Sequence, residues 1–181
     1  MIAINVYSPK GGVGTTTTAA LLALDLSKHR YVGLVAKDSD AIHGTLGYDG
    51  TPSLPNKVTH GLTISDAPVA DVDFNVIDSK DYMAAADINI LVIQNSYLAL
   101  RKAKDSKFDL VVLNLIEERP LGTNDVGTVL GCSDKMHVMS WSPTVARSLD
   151  AGLTGRVLEQ TEFQGLVKRV KDLISEALAP F

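Results

Sequence analysis

The sequence is short of most features that mark a secreted, membrane-spanning or metal-stapled protein. It has one cysteine, Cys132, in 181 residues, so no internal disulfide can form and a reducing compartment is expected. The four histidines stand apart from each other and from the cysteine, and no zinc-type spacing occurs. No apolar run approaches the ~20 residues of a membrane-spanning helix. Met1 to Tyr7 is apolar but has no basic segment before it, and Lys10 and glycines end it, so no signal peptide is expected and the protein reads as cytoplasmic. Positive charge is not in excess: 17 Lys and Arg face 21 Asp and Glu, for a net charge of −4. That balance argues against a dedicated high-affinity nucleic-acid binder, though not against a local basic patch. The remaining composition, 45% apolar and 21% charged, excludes a disordered or collagen-like chain. This length suits a single domain whose core needs no staple.

Hydrophobic patterning predicts alternating strands and helices. Short apolar runs at Ile2 to Tyr7, Tyr31 to Ala36, Phe74 to Ile77, Ile88 to Gln94, Leu110 to Leu115 and Met136 to Trp141 read as buried strands. Helical spacing appears in Thr15 to Lys28, Tyr97 to Ala103, Asp125 to Leu130 and Pro143 to Leu149. Phe163, Leu166, Val167, Val170, Leu173 and Ile174 recur at i, i+3, i+4, i+7, which predicts an amphipathic C-terminal helix. Residues 41 to 72 are rich in Gly and Pro with little period; they read as mostly irregular, with one short strand at Leu62 to Ser65. Apolar strands alternating with helices imply a three-layer α/β sandwich around a mostly parallel sheet. In such folds ligands sit at the carboxyl ends of the strands. Lys10 to Thr17, Asp38, Asp78 and Asn114 all fall there.

The most informative segment is Ser8-Pro9-Lys10-Gly11-Gly12-Val13-Gly14-Thr15-Thr16-Thr17, between the first strand and the first helix. Glycines let backbone N–H groups turn inward and approach a phosphate closely. The helix that follows points its positive end at the same place. A hydroxyl on its first turn, Thr16, suits a Mg²⁺ ligand. Asp78 ends an apolar strand beside that loop and is a candidate for holding Mg²⁺ or orienting water.

This loop resembles the deviant Walker A motif of the ParA/MinD family of P-loop ATPases, Lys-Gly-Gly-x-Gly-Lys-Ser/Thr, through Lys10, Gly11, Gly12, Gly14 and Thr16. Val76-Ile77-Asp78 resembles the family's Walker B strand, and Asp38 stands where it carries the switch I aspartate. Val111 to Asn114 is similar to the strand whose asparagine reads adenine, and Trp141-Ser142-Pro143, with Arg147 and Gly152 beyond, to a later base-contacting loop and helix. The resemblance covers most of the chain. It implies one P-loop NTPase domain over residues 1–181 that binds ATP or ADP with Mg²⁺. Gly11, Gly12, Val13, Gly14, Thr15, Thr16, Thr17, Asn114 and Pro143 would contact nucleotide, and Thr16 and Asp78 would hold the metal. Lys10 would act across a nucleotide-dependent homodimer, and Asp38 on the attacking water. Partition of plasmid, phage or chromosomal DNA with a ParB-like partner is the implied role. Arg147, Lys168, Arg169 and Lys171 are candidates for DNA contact without sequence preference. The amphipathic C-terminus is not expected to bind membrane, because Asp172 and Glu176 would repel anionic lipid.

Three departures accompany the resemblance. Thr15 replaces the lysine that wraps the β- and γ-phosphates; losing one charge-assisted contact costs about 1.5–3 kcal/mol, roughly tenfold to a hundredfold in affinity. Ala36 replaces a first aspartate two residues before Asp38, and Ser79-Lys80 follows Asp78 in place of Thr-Pro. Two other functions therefore compete with an active switch. One keeps the fold as a scaffold or regulator that binds nucleotide weakly or not at all. The other is a dinucleotide-binding oxidoreductase, suggested by Gly12-Val13-Gly14 with Asp38 after the second strand, although Thr17 occupies the place of its third glycine.

Overall fold

The computed structural model describes residues 1–37, 39–46, 61–140, 142–151 and 154–179, without the side chains of 39–41, 43 and 150. The predicted alternation is present. In chain order the elements are β1 (Ile2–Tyr7), α1 (Thr15–Leu26), β2 (Val32–Ala36), α2 (Ser39–Leu46), β3 (Leu62–Ser65), β4 (Phe74–Ser79) and β5 (Ile88–Gln94). They continue with α3 (Tyr97–Ala103), β6 (Leu110–Leu115), α4 (Thr123–Leu130), β7 (Met136–Ser140), α5 (Pro143–Asp150), α6 (Thr154–Leu158) and α7 (Thr161–Leu178).

The seven strands form one sheet in the order β3-β2-β4-β1-β5-β6-β7, and every neighbouring pair is parallel. Side chains alternate between two cores, as a strand buried on both faces requires. Ile4, Val6, Leu34, Val76, Ile90 and Val92 join the core under α1 and α7, where Leu22, Phe163, Leu166 and Val170 meet them. Tyr7, Leu91, Ile93, Val111 and Leu113 face the other way, against Leu100 of α3 and Val126 of α4. The β4–β5 crossover on that side contains no described helix.

The strand order decides one competing reading. In a dinucleotide-binding Rossmann sheet the first and second strands are neighbours; here β4 separates β1 from β2. That removes the fold on which the oxidoreductase alternative rested. Two local expectations are also corrected. The irregular reading of residues 41 to 72 misses α2, an eight-residue helix that begins at Ser39. Among its described side chains Ile42 and Leu46 are the buried apolar anchors, and Gly44 and Thr45 are weak helix formers, so no period is visible. The short helix α6 is likewise missed, while β3 lies where it was expected.

Candidate functional site

The site is built where β1 hands over to α1. Register places Val6 beside Asp78 and Tyr7 beside Ser79, so the loop opens at Ser8, two residues beyond the level of Asp78. Gly12 and Gly14 then adopt positive φ, 74° and 97°, a region open to glycine at little cost. Gly14 is the N-cap of α1, with no side-chain cap bond and no acidic residue in the first turn. The first N–H groups of a helix have no intrahelical partner, and here nothing anionic on the helix competes for them. The loop thus presents backbone donors and a positive helix end, uncapped by the helix's own side chains, to an anion.

Thr16 and Asp78, 62 residues apart, meet here: Thr16 Oγ1 donates to Asp78 Oδ2 at 2.7 Å. A hydroxyl and a carboxylate at the mouth of a glycine loop fit Mg²⁺, which takes one or two protein oxygens and completes its shell with water or ligand oxygens. Among the described residues no cluster of three or more His, Cys, Asp or Glu offers a rival metal site.

Strand ends on the other side brace the loop. Asn114 Nδ2 donates to Val13 O at 2.5 Å and Gln94 Nε2 to Gly12 O at 3.2 Å. A Cβ on Gly14 would lie 2.5 Å from Asn114 Nδ2, so a side chain here is strained by φ and must also displace the Asn114 amide. Beside the loop opens a cleft of about 260 Å³, lined by Gly12, Thr17, Asn114, Ile116, Met139 and Val145 among others. Apolar walls with a few polar groups at one end suit a flat heterocycle attached to an anion. Pro143 is exposed at the start of α5; Ser142, Val145 and Ala146 around it line the cleft instead.

The expected charged residues are distributed unevenly. Lys10 Nζ donates to Gly11 O at 3.1 Å, bonded back onto its own loop. Thr15 opens α1, so no ammonium group stands at that position. Asp38, Trp141 and Gly152 lie outside the described residues. Of the basic residues considered for DNA, Arg169 donates to the backbone carbonyls of Met136 and Asp134, and Lys171 lies 3.5 Å from Asp25 Oδ2. Arg147 and Lys168 are exposed.

One polar network escaped the sequence reading. Asn5 Nδ2 donates to Asn89 Oδ1 (2.9 Å) and Asp81 O (3.0 Å), and Ser79 Oγ donates to Asn5 Oδ1 (2.7 Å). Asn89 in turn exchanges bonds with the backbone of Met83. The signal was present: Asn5 and Asn89 interrupt otherwise apolar strands, and a buried amide must find partners.

Two further groups stand apart from the site. Burial pushes the Cys132 thiol above its ordinary pKa, which makes it unreactive. Burial also holds His137 below its ordinary value, and the nearby Arg169 cation adds to this. A larger cleft, about 460 Å³, opens at the opposite end of the sheet beside Asp25, Leu26, Phe74, Lys171, Ile174 and Leu178.

No protein-family model matches the sequence, and no curated protein matches it. Solved structures do match. The chain superposes on MinD from the MinC:MinD cell division complex of Aquifex aeolicus with a TM-score of 0.72 at 18% identity, covering 100% of this chain and 99% of that one. The septum site-determining protein MinD of Pyrococcus horikoshii, complexed with Mg-ADP, gives 0.67 at 15% identity over 99% of both chains. A ParA family ATPase from Chlorobium tepidum gives 0.61 at 14% identity over 98% of both. At these identities the likeness establishes the fold: the α/β P-loop NTPase architecture of the MinD and ParA ATPases.

Proposed function

We propose that the chain is a ParA-like, nucleotide-dependent switch formed by a single nucleotide-binding domain. The observation that carries this reading is the 2.7 Å bond from Thr16 Oγ1 to Asp78 Oδ2 at the mouth of an open-donor glycine loop. That pair is what a Mg²⁺–polyphosphate site needs, and the similar MinD of Pyrococcus horikoshii is complexed with Mg-ADP.

In this reading the N–H groups of Gly11 to Thr17 and the end of α1 take the phosphates. Thr16 and Asp78 hold Mg²⁺, whose chemistry is to bridge phosphate oxygens and neutralise developing charge. Asn114 keeps the loop in shape at the mouth of the cleft, and Met139 and Val145 give the base an apolar seat. Asp38 orients the attacking water. Two chains close face to face on ATP, with Lys10 of each reaching the other's phosphates, and hydrolysis reopens them. The dimer is the bistable element and the γ-phosphate biases it. The cargo is plasmid, phage or chromosomal DNA, held through Arg147 and Lys168 and released with a ParB-like partner. The work is cytoplasmic; no described helix is long and apolar enough to cross a membrane.

Calorimetry with ATP and ADP, with and without Mg²⁺, tests this together with a size measurement. The expected result is Mg²⁺-strengthened binding of both nucleotides and dimers with ATP alone. A folded chain that binds neither nucleotide overturns the reading.

Thr15 favours a second reading, a scaffold with the same fold but impaired catalysis. Thr15→Lys would then raise ATP turnover strongly. Strong turnover by the unaltered chain, abolished by Lys10→Ala, excludes it.

A further inference from the structure

We infer that Lys80 supplies the phosphate-directed ammonium group that the loop lacks at Thr15. This rests on the nucleotide reading of the loop and names the residue that completes it. Lys10, the loop's own lysine, is bonded to Gly11 O. In the proposed dimer it serves the partner's phosphates, which leaves this chain's own loop to be served by a cation from a neighbouring strand end.

Register identifies which strand end. β1 and β4 pair up to Tyr7 beside Ser79. The next residue on β1's side is Ser8, where the loop opens; the next on β4's side is Lys80. Adjacent strands lie ~4.8 Å apart. Lys37, which follows β2, is one strand further away, because β4 lies between β2 and β1.

The backbone on both sides of Lys80 is tied down. Ser79 Oγ donates to Asn5 Oδ1 at 2.7 Å, and Asn5 Nδ2 donates to Asp81 O at 3.0 Å. Asn5 is itself fully buried and fixed by Asn89 at 2.9 Å. Ser79 thus faces Asn5 and the β4–β5 crossover, whereas Asp78 faces Thr16 on the α1 side. Lys80 is the first residue past β4, and the alternation of Asp78 and Ser79, extended by one residue, would return it to the side of Asp78. Lys80 itself is exposed and, among the described residues, has no hydrogen bond or ion pair. A pinned backbone with an unengaged ammonium on a flexible stem is a cation held ready for an anion. The same network explains why three polar side chains, Asn5, Ser79 and Asn89, converge beneath an otherwise apolar sheet.

The test is calorimetry of Lys80→Ala, Lys80→Arg and Lys37→Ala with ATP and with AMP, each variant first checked by circular dichroism. In Lys80→Ala, ATP affinity is expected to fall about tenfold or more while AMP affinity holds, the loss of one charge-assisted contact. Lys80→Arg retains most of the affinity, and adding Thr15→Lys to Lys80→Ala restores it. Unchanged ATP binding by Lys80→Ala overturns this inference alone. So does an equal loss for ATP and AMP, which is a structural effect, or a loss that appears in Lys37→Ala instead. A folded, unaltered chain that binds no ATP overturns the nucleotide reading as well.

Discussion

The two ends of the sheet each carry a cleft, and the smaller one is the better site. At the amino ends of the strands the cleft is about 460 Å³, and beside the glycine loop about 260 Å³. The difference lies in where the charges go. In the larger cleft Asp25, its side chain 6% exposed, is already matched by Lys28 at 2.7 Å and Lys171 at 3.5 Å. Those groups answer one another and tie α1 to α7. At the other end the donors belong to the backbone, and the helix that offers them has no capping side chain or acidic first turn. Donors left open by local geometry mark a ligand site more reliably than volume does.

The comparison breaks hardest at Gly14. An alanine there meets both the 97° φ and a Cβ contact of 2.5 Å with Asn114 Nδ2. The strain alone is about 1–3 kcal/mol. Release of that strain moves Asn114 and the loop together, so Gly14→Ala is expected to lower ATP affinity about a hundredfold or more, ~2.7 kcal/mol. Calorimetry reads the affinity and a urea melt reads the fold. Near-normal affinity would mean that the loop's shape is not what binds.

Asp78→Asn comes next. It keeps an acceptor for Thr16 but removes the charge, so the Mg²⁺-dependent part of ATP affinity should fall by about tenfold to a hundredfold, while binding without Mg²⁺ holds. Titrations in Mg²⁺ and in a chelator separate the two. At the opposite end, Asp25→Asn should do the reverse. It costs about 1 kcal/mol of stability, because the Lys28 and Lys171 side chains are 37% and 52% exposed and their contribution is screened. ATP affinity should not change. A urea melt beside the same titration checks both, and a loss of affinity would show that the two ends are coupled.

Much of this was legible beforehand, for reasons that differ by region. The parallel sheet showed because strands buried on both faces are continuous apolar runs, as in Ile90 to Ile93. The loop showed because Gly12 and Gly14 are demanded by backbone geometry rather than by packing. Thr16 and Asp78 could be paired by motif, but their 2.7 Å contact joins residues 62 apart and no local pattern encodes it. The helix α2 was hidden because two anchors give no period. The Asn5–Ser79–Asn89 network was hidden because each residue alone reads as a flaw in a strand. Arg169 looked like a free surface cation on the polar face of its helix. Its guanidinium in fact donates to two backbone carbonyls ahead of and within β7, a use that only the tertiary packing reveals.

The smallest expected effect tests whether that packing seam is independent of the loop. On β7, His137 Nε2 lies 2.7 Å from Glu162 O, and Glu162 Oε2 accepts from Ser140 N at 3.2 Å. Burial first, and then Arg169, hold the imidazole pKa below its ordinary 6.5, with the Glu162 carbonyl and carboxylate opposing them. A histidine whose folded pKa is lowered resists protonation in the native state. Its contribution to stability is therefore complete above the unfolded value and is lost as pH falls through the folded one. Thermal melts from pH 7.5 down to 5 should show a fall smaller than that of Asp25→Asn, and His137→Gln should flatten it. Met139 and Ser140 on the same strand also line the cleft beside the loop. If ATP affinity falls with the melt and His137→Gln cancels both, the seam sets the shape of that cleft; if affinity holds while stability falls, the strand end is fixed by the sheet and the glycine loop keeps its geometry without α7.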